Sequence, residues 1–142
     1  MKPAAPFVDL RSLRQALASL QRALLRWNAS QQQDEELRDA CIQRFEYTFE
    51  LSWKMLKRRL EIDLPDGRSV DAMSFRDLVR TGAERSLLND VDAWMVFREK
   101  RNITSHTYNA AKAVEVAAVI PSFTLQAGDL LAALDAVGGA NA

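Results

Sequence analysis

The sequence has little cysteine and little histidine, and each shortage excludes a class of site. Its 142 residues include one cysteine, Cys41, and one histidine, His106. A single cysteine forms neither an intramolecular disulfide nor a cysteine-based zinc site, and a single histidine cannot build a multi-histidine metal site within one chain. We therefore expect no metal and no other cofactor. Cys41 is expected to be a small residue of the core.

Net charge, long apolar runs and glycine-rich loops are also missing. Lys and Arg together number 19, as do Asp and Glu, so any contact with RNA or DNA must come from a local basic patch. No uninterrupted apolar run approaches the ~18 residues of a membrane span. Residues 1–6 hold no stretch of signal-peptide length, so we expect a cytoplasmic protein with no membrane partner. No phosphate-binding glycine loop, G-x-S-x-G or H-E-x-x-H motif occurs.

Helical periodicity is present along most of the chain. Apolar residues at steps of three and four predict a first helix that begins at Asp9 or Ser12 and closes at residues 28–30. Its stripe consists of Leu10, Leu13, Leu17, Leu20, Leu24 and Trp27. A second helix is predicted from about Asp34 to Ile62. Its stripe consists of Leu37, Cys41, Phe45, Phe49, Ser52, Leu56 and Leu60. A turn is expected at residues 64–67.

The second half predicts shorter helices. Ser74 resembles the start of a capping box, and Gly82 is expected to end that helix. Asn89 or Asp90 is expected to cap the next helix, and residue Asn109 to break or re-cap the chain. The last helical stretch runs from 111 to 137, with a kink or split near residue 120 caused by the proline that follows it. These elements predict an all-α, antiparallel up-and-down bundle of four to five helices, in one domain spanning 1–142 with a core of about 10–134.

One segment, residues 98–109, combines most of the groups that could act on a phosphodiester. Arginine offers a planar fork of donors to phosphate oxygens, and a histidine carries protons near neutral pH. If the segment is one helix, Arg98, Asn102 and His106 form a column, and Arg101 and Ser105 lie on an adjacent one. Arg101 and His106 would then point about 140° apart, so they face one ligand only if the helix bends or ends, or a partner chain completes the site. Taken alone, a single histidine near a helix end is more often a structural or C-capping residue than a catalytic one.

Two blocks of sequence resemble a known family. The run Arg101-Asn102-Ile103-Thr104-Ser105-His106, followed by Thr107-Tyr108, is similar to the R-x4-H-x-Y motif of HEPN proteins. The aromatic block at residues 45–54 is similar to the other recognisable block of the HEPN subunits of HEPN–nucleotidyltransferase toxin–antitoxin pairs. These HepT-like subunits are also called nucleotidyltransferase substrate-binding proteins. The resemblance spans about residues 10–134. This sequence departs from the family pattern at two places. Phe75 stands where we expect a proline, at a helix start, and Asn109 and Ala110 stand where we expect acidic residues, at the rim of the site. Both changes bear on the preference for a partner or an RNA.

The resemblance implies a metal-independent endoribonuclease toxin of a type II toxin–antitoxin pair. It implies that His106 is the general acid/base, that Arg101 stabilises the transition state and that Asn102 is a supporting polar group. Around them, Arg98, Lys100 and Ser105 are candidate substrate-binding residues. The implied partners are an RNA substrate, with tRNA and mRNA both open, and a minimal nucleotidyltransferase antitoxin.

In the mechanism that the resemblance implies, the RNA 2′-hydroxyl attacks its own adjacent phosphate. One proton must then be removed from that hydroxyl and another delivered to the leaving oxygen, and one chain has a single histidine for both. We therefore expect a twofold homodimer that brings two R-x4-H segments to one groove, as the family also implies. Tyr108 has two interpretations: it is a core or interface phenol, or, as the resemblance implies, it accepts AMP from the nucleotidyltransferase, which neutralises the toxin. Two rival functions stay open: a non-catalytic substrate-binding subunit of a nucleotidyltransferase, and a purely structural bundle.

Other chemistry-bearing residues are expected to be structural. The carboxylates Glu35, Glu36, Glu46 and Glu50 lack the Glu-x-x-His partners of a di-iron bundle, so we expect a solvated or salt-bridged face. The three tryptophans at positions 27, 53 and 94 lie at helical spacings and are expected to pack in the core or an interface rather than to stack on bases.

Overall fold

The computed structural model describes residues 7–138, and every regular element within them is helical. The six α-helices of this range are α1 (Arg11–Ala29), α2 (Glu35–Asp63), α3 (Phe75–Glu84), α4 (Val91–Asn102), α5 (Ala110–Ala117) and α6 (Ile120–Gly138). Two 3-10 helices, Gly67–Ala72 and Thr104–His106, lie between them. The predicted all-α class is confirmed. The predicted number of helices was too low, because the last stretch splits completely before Pro121, a residue with no backbone N–H to continue the helix.

Short polar side chains set the helix starts where the sequence predicted them. The carboxylate of Asp34 accepts from the N–H groups of Glu36 and Leu37, and Asp90 accepts from Ala93 N–H. Ser74 accepts from Asp77 N–H in the same way at the start of α3. At α1, Asp9 rather than Ser12 marks the start, because its carboxylate accepts from the N–H of the first helical residue at 3.0 Å.

Gly82 does not end α3 as predicted. The helix continues through it to Glu84, and the chain turns at Ser86, which has a left-handed φ of 61°. A Cβ built on Gly82 would stand 3.0 Å from a methyl carbon of Leu56 on α2. The glycine therefore allows α3 to approach α2 closely, a packing requirement that looks like a helix terminator in the sequence.

The core is one cluster of buried side chains running from Leu10 to Leu134. α1 and α2 pair along their length, and α6 packs against both. At the centre, the Phe123 ring lies 4.9 Å from Phe45, 5.2 Å from Phe97 and 5.8 Å from Trp94, between ring centroids. The edge-on arrangement of these rings is the favoured geometry for aromatic pairs. The apolar stripes predicted for the first two helices supply one wall of this core.

Cys41 is a core residue, as expected. Its side chain is fully buried, and burial raises the pKa of its thiol to about 11. A thiol with so high a pKa carries almost no thiolate at neutral pH, as is typical of a structural cysteine.

The stretch Ala110–Gly138 is long and apolar enough, by length and composition alone, to cross a membrane. The prediction of no membrane-spanning segment was based only on uninterrupted apolar runs, a criterion that this stretch does not meet. In the structure this stretch is two helices, and its buried residues, among them Ile120, Phe123 and Leu130, fill the core against α1 and α2. A helix that packs its apolar residues into the core of a bundle has this composition as well. Residues 1–6, on which the signal-peptide expectation depends, lie outside the described residues.

Replacing Phe123 with alanine is expected to destabilise the protein by about 3–5 kcal/mol, because it removes the ring on which four other aromatic side chains converge. Urea unfolding followed by circular dichroism measures the change. Leu125→Ala is the matched control on the same helix; that side chain is 72% exposed, so its loss should cost less than about 0.5 kcal/mol. Equal losses in the two variants would contradict the packing described above.

Candidate functional site

The segment between α4 and α5 carries most of the predicted site residues, and it is not a continuous helix. α4 ends at Asn102, and the chain continues as the short 3-10 helix Thr104–His106. The predicted column of Arg98, Asn102 and His106 is therefore interrupted after Asn102. This ending meets the condition under which Arg101 and His106 can face one ligand, since the 140° separation applies only to a straight helix.

Hydroxyl groups and tight backbone bonds hold this turn in place. The buried Thr104 donates its hydroxyl proton to the carbonyl of Arg101 at 2.8 Å, and Thr107 donates to the carbonyl of Thr104 at 2.9 Å. The N–H of His106 donates to the carbonyl of Ile103 at 2.9 Å. Asn109 then caps α5 by accepting from the N–H groups of its second and third residues, which confirms the predicted re-capping. The position of His106 thus follows from a defined turn.

The guanidinium of Arg101 is held by α2 and by its own turn. Its Nε donates to Glu50 Oε1 at 3.1 Å, one terminal nitrogen donates to the Thr104 hydroxyl at 3.1 Å, and the other lies 3.5 Å from Glu46 Oε1. The Arg101 side chain remains 28% exposed. An arginine has five N–H donors, so these contacts orient the fork and still leave donors for an anion.

Of the four glutamates expected on a solvated or salt-bridged face, Glu46 and Glu50 form ion pairs with Arg101, and Glu35 and Glu36 are exposed. Glu50 uses both oxygens, because Oε2 accepts from the indole N–H of Trp53 at 3.1 Å while Oε1 binds Arg101. The two sequence blocks that carry the resemblance, 51 residues apart along the chain, are therefore in direct contact. Within residues 7–138, no group of three or more His, Cys, Asp or Glu side chains is placed to hold a metal ion.

His106 and Tyr108 are both open to solvent. The imidazole of His106 is exposed, and Tyr108 is 88% exposed, so the reading of Tyr108 as a core phenol is wrong. The two ring centroids lie 6.2 Å apart with the rings nearly edge to face. An exposed imidazole can reach a substrate, as a general acid or base must.

The three candidate substrate-binding residues differ in availability. Arg98 and Ser105 are exposed. Lys100 is bound by Glu115 of α5 at 2.8 Å, and this hydrogen bond raises the pKa of the ammonium and lowers the pKa of the carboxyl. In this structure Lys100 joins α4 to α5, and it reaches a substrate only if that pair opens.

A cleft beside Arg101 was not predicted from the sequence. It has a volume of about 340 Å³ and lies between α2, the 3-10 helix at 67–72, α3 and α4. Trp27 and Trp94 are buried, as expected, but Trp53 is partly exposed and lines this cleft together with Phe75. The one available signal was the position of Trp53 beside, rather than on, the buried stripe of α2. Thr104 was also missed, although a hydroxyl three residues after an arginine at a helix end often bonds to the backbone there.

The sequence and the fold match known proteins. Residues 8–136 match the family described as nucleotidyltransferase substrate binding protein like. A relative from Haemophilus influenzae named "Probable ribonuclease HepT" is 41% identical over 91 residues, which cover 64% of this chain and 62% of that protein's length. The matched region thus spans about three-fifths of that curated relative.

Two solved structures have the same arrangement of helices. A Haemophilus influenzae structure, reported as the fold of a substrate binding domain of a nucleotidyltransferase, has a TM-score of 0.83 and 34% identity, covering 89% of this chain and 98% of that one. A protein from Thermus thermophilus has a TM-score of 0.68 and 30% identity, covering 86% and 98% of the two chains. The names of the relatives thus point to two different activities, ribonuclease and substrate binding.

A double-mutant cycle is expected to separate the two contacts of Arg101. The Glu50→Ala/Arg101→Ala pair should show a coupling free energy of about 0.5–1 kcal/mol in urea unfolding, because that contact is a hydrogen-bonded ion pair. The Glu46→Ala/Arg101→Ala pair is the matched control. Its contact is longer at 3.5 Å and Glu46 is 42% exposed, so we expect less than about 0.5 kcal/mol. A coupling to Glu46 as large as that to Glu50 would contradict the assigned hydrogen bonds.

Proposed function

Because the chain belongs to the HepT-like HEPN family of nucleotidyltransferase substrate-binding-like proteins, we propose that it is a metal-independent endoribonuclease, the toxin of a type II toxin–antitoxin pair. The observation that carries the proposal is the end of α4 at Asn102. It places an arginine with free donors just before a short turn that presents an exposed histidine. The cytoplasm is the proposed compartment, and the RNA class, tRNA or mRNA, stays open.

In the proposed reaction the RNA 2′-oxygen attacks the adjacent phosphorus. The P–O2′ bond forms, the P–O5′ bond breaks, and the products are a 2′,3′-cyclic phosphate and a 5′-hydroxyl. A His106 imidazole removes the 2′-hydroxyl proton, and an imidazolium delivers a proton to the departing 5′-oxygen. The remaining N–H groups of Arg101 donate to the non-bridging oxygens, where negative charge grows in the transition state. Asn102, at the last position of α4, adds a polar side chain beside them.

Two histidines acting at once require two copies of the chain, since each chain has one. A twofold homodimer that brings the two turns together would supply an acid and a base, and would double the arginines in the groove. Charge makes the second copy more important. Arg101 stands between two glutamates, so this group of three has a net negative charge and a single copy attracts RNA weakly. The exposed Arg98 of each copy would add the missing positive charge.

The proposed antitoxin, a minimal nucleotidyltransferase, acts on Tyr108. The phenol oxygen attacks the α-phosphorus of ATP and pyrophosphate leaves, so that AMP becomes attached to the tyrosine. The 88% exposure of Tyr108 gives a second enzyme access to it, and its ring lies 6.2 Å from the His106 ring. The added phosphate would compete with RNA for the arginines and repel the RNA backbone.

The alternative is a non-catalytic subunit that presents a substrate to a nucleotidyltransferase. The name of the solved Haemophilus influenzae relative favours it, and a cleft of about 340 Å³ lies beside the site. This function needs neither the imidazole of His106 nor a second copy of it. The two proposals therefore differ in what the loss of His106 does.

His106→Ala is expected to lower the rate of RNA cleavage by about 10²- to 10⁴-fold and to abolish growth arrest when the protein is expressed alone. Arg101→Ala should also abolish both effects. Because His106 is exposed, its replacement should leave the unfolding midpoint unchanged. The control is Arg22→Ala, an exposed arginine on α1, which should keep full toxicity. Growth arrest that persists in His106→Ala, or a monomer in light scattering at micromolar concentration, would refute the proposed ribonuclease.

Incubation with the cognate nucleotidyltransferase and ATP is expected to raise the mass by one or more AMP units. The chain has two tyrosines, so the acceptor is tested directly. Tyr108→Phe should remove the gain, and Tyr47→Phe is the matched control that should retain it. Mass spectrometry of the intact protein gives the result; a gain that survives Tyr108→Phe excludes Tyr108 as the sole acceptor.

A further inference from the structure

The cleft beside Arg101 has the walls of a site for a flat ring. Three aromatic rings are among its lining residues: Phe49 is buried, and Trp53 and Phe75 are partly exposed. Its volume of about 340 Å³ falls at the small end of the range of about 300–1,000 Å³ that small-molecule sites occupy. Trp53 is held in place by the indole hydrogen bond to Glu50, so little side-chain freedom would be lost when a ring packs against it.

The charges at the mouth of the cleft are mostly neutralised, with one exception. Lys57 binds Asp71 at 2.9 Å, and Arg101 binds Glu50. Arg98 has no carboxylate partner among residues 7–138, and its guanidinium carbon lies 5.0 Å from the centroid of the Phe75 ring. A cation with no acidic partner, placed beside aromatic surfaces, is the combination with which proteins bind the bases and phosphates of single-stranded nucleic acid.

We propose that this cleft binds one unstacked base of the RNA substrate, next to the bond that is cut. The proposal rests on the ribonuclease function proposed above. Arg101 and Asn102 belong both to the wall of the cleft and to the R-x4-H segment, so a base in the cleft continues directly into a phosphate at Arg101. The base packs on the Trp53 ring, and Arg98, whose guanidinium lies over the Phe75 ring, holds a flanking phosphate.

A base-binding cleft would make the enzyme specific for one structural class of RNA. Only a nucleotide that is free of its helix can place its base in a pocket, so single-stranded or looped RNA is the substrate and duplex RNA is excluded. The exposed amide of Asn102 at the rim provides both a donor and an acceptor for the edge of the base. Phe75, which replaces the proline expected by resemblance, supplies the ring over which the Arg98 guanidinium lies.

The test uses the full-length chain with His106→Ala, which binds RNA without cutting it. Fluorescence anisotropy measures its Kd for a labelled single-stranded RNA, for the same RNA in a duplex, and for free mononucleotides. Trp53→Ala is expected to weaken single-strand binding roughly 5- to 150-fold, the effect of losing one stacked base. Trp53→Phe keeps a ring and should retain most of the affinity, and thermal unfolding checks that each variant folds.

Arg98 is tested by salt dependence. Arg98→Gln should lower the slope of log Kd against log salt concentration by about 0.7, the value for one lost phosphate contact on a single strand. Arg22→Gln is the matched control, an exposed arginine outside the cleft that should leave the slope unchanged. In the cleavage-competent protein, Trp53→Ala should raise KM much more than it lowers kcat.

Three results would overturn the pocket while the ribonuclease stands. In the first, Trp53→Ala leaves the Kd for single-stranded RNA unchanged. In the second, the duplex binds as tightly as the single strand. In the third, mononucleotides bind in a way that depends on Trp53, but RNA does not bind in the same cleft. A wild-type protein that neither binds nor cuts RNA would overturn the pocket and the ribonuclease together. Weaker single-strand binding in Trp53→Ala, with rescue in Trp53→Phe, supports the pocket.

Discussion

The carboxylate of Glu50 holds the two parts of the site together. One oxygen binds the guanidinium of Arg101 on α4, and the other binds the indole of Trp53 one turn further along α2. A carboxylate that is hydrogen-bonded on both sides has little freedom to rotate, so it fixes the direction of both partners. The cation and the aromatic wall of the cleft therefore have a fixed relative position, which depends on the packing of α4 against α2 in the core below them.

Sequence reasoning predicted the framework well because the framework depends on local rules. The caps at Asp34, Ser74 and Asp90, and the buried stripes of α1 and α2, follow from hydrogen bonding and from the 3.6-residue period. It failed at Gly82, where a close approach between two helices, visible only in three dimensions, decides the outcome. The split at Pro121 was foreseen as one of two possibilities, but the resulting number of helices was not.

The site was less predictable than the fold, since its parts come from different elements. Arg101 and His106 could be chosen by residue type and spacing, but only the end of α4 removes the obstacle of a straight helix. The partner of Arg101, 51 residues away, is not encoded in any local pattern. Trp53 was assigned to packing because its spacing is helical; its partial exposure depends on α3 leaving a gap in front of it.

The position of α6 has a consequence for synthesis of the chain. α6 packs against both α1 and α2, and its Phe123 completes the aromatic centre of the core. On the ribosome this helix emerges after the segment with Arg101 and His106. A nascent chain that stops before α6 leaves exposed the apolar surface of α1 and α2 that α6 covers, which destabilises the bundle. Truncated translation products should accordingly be substrates for chaperones and proteases.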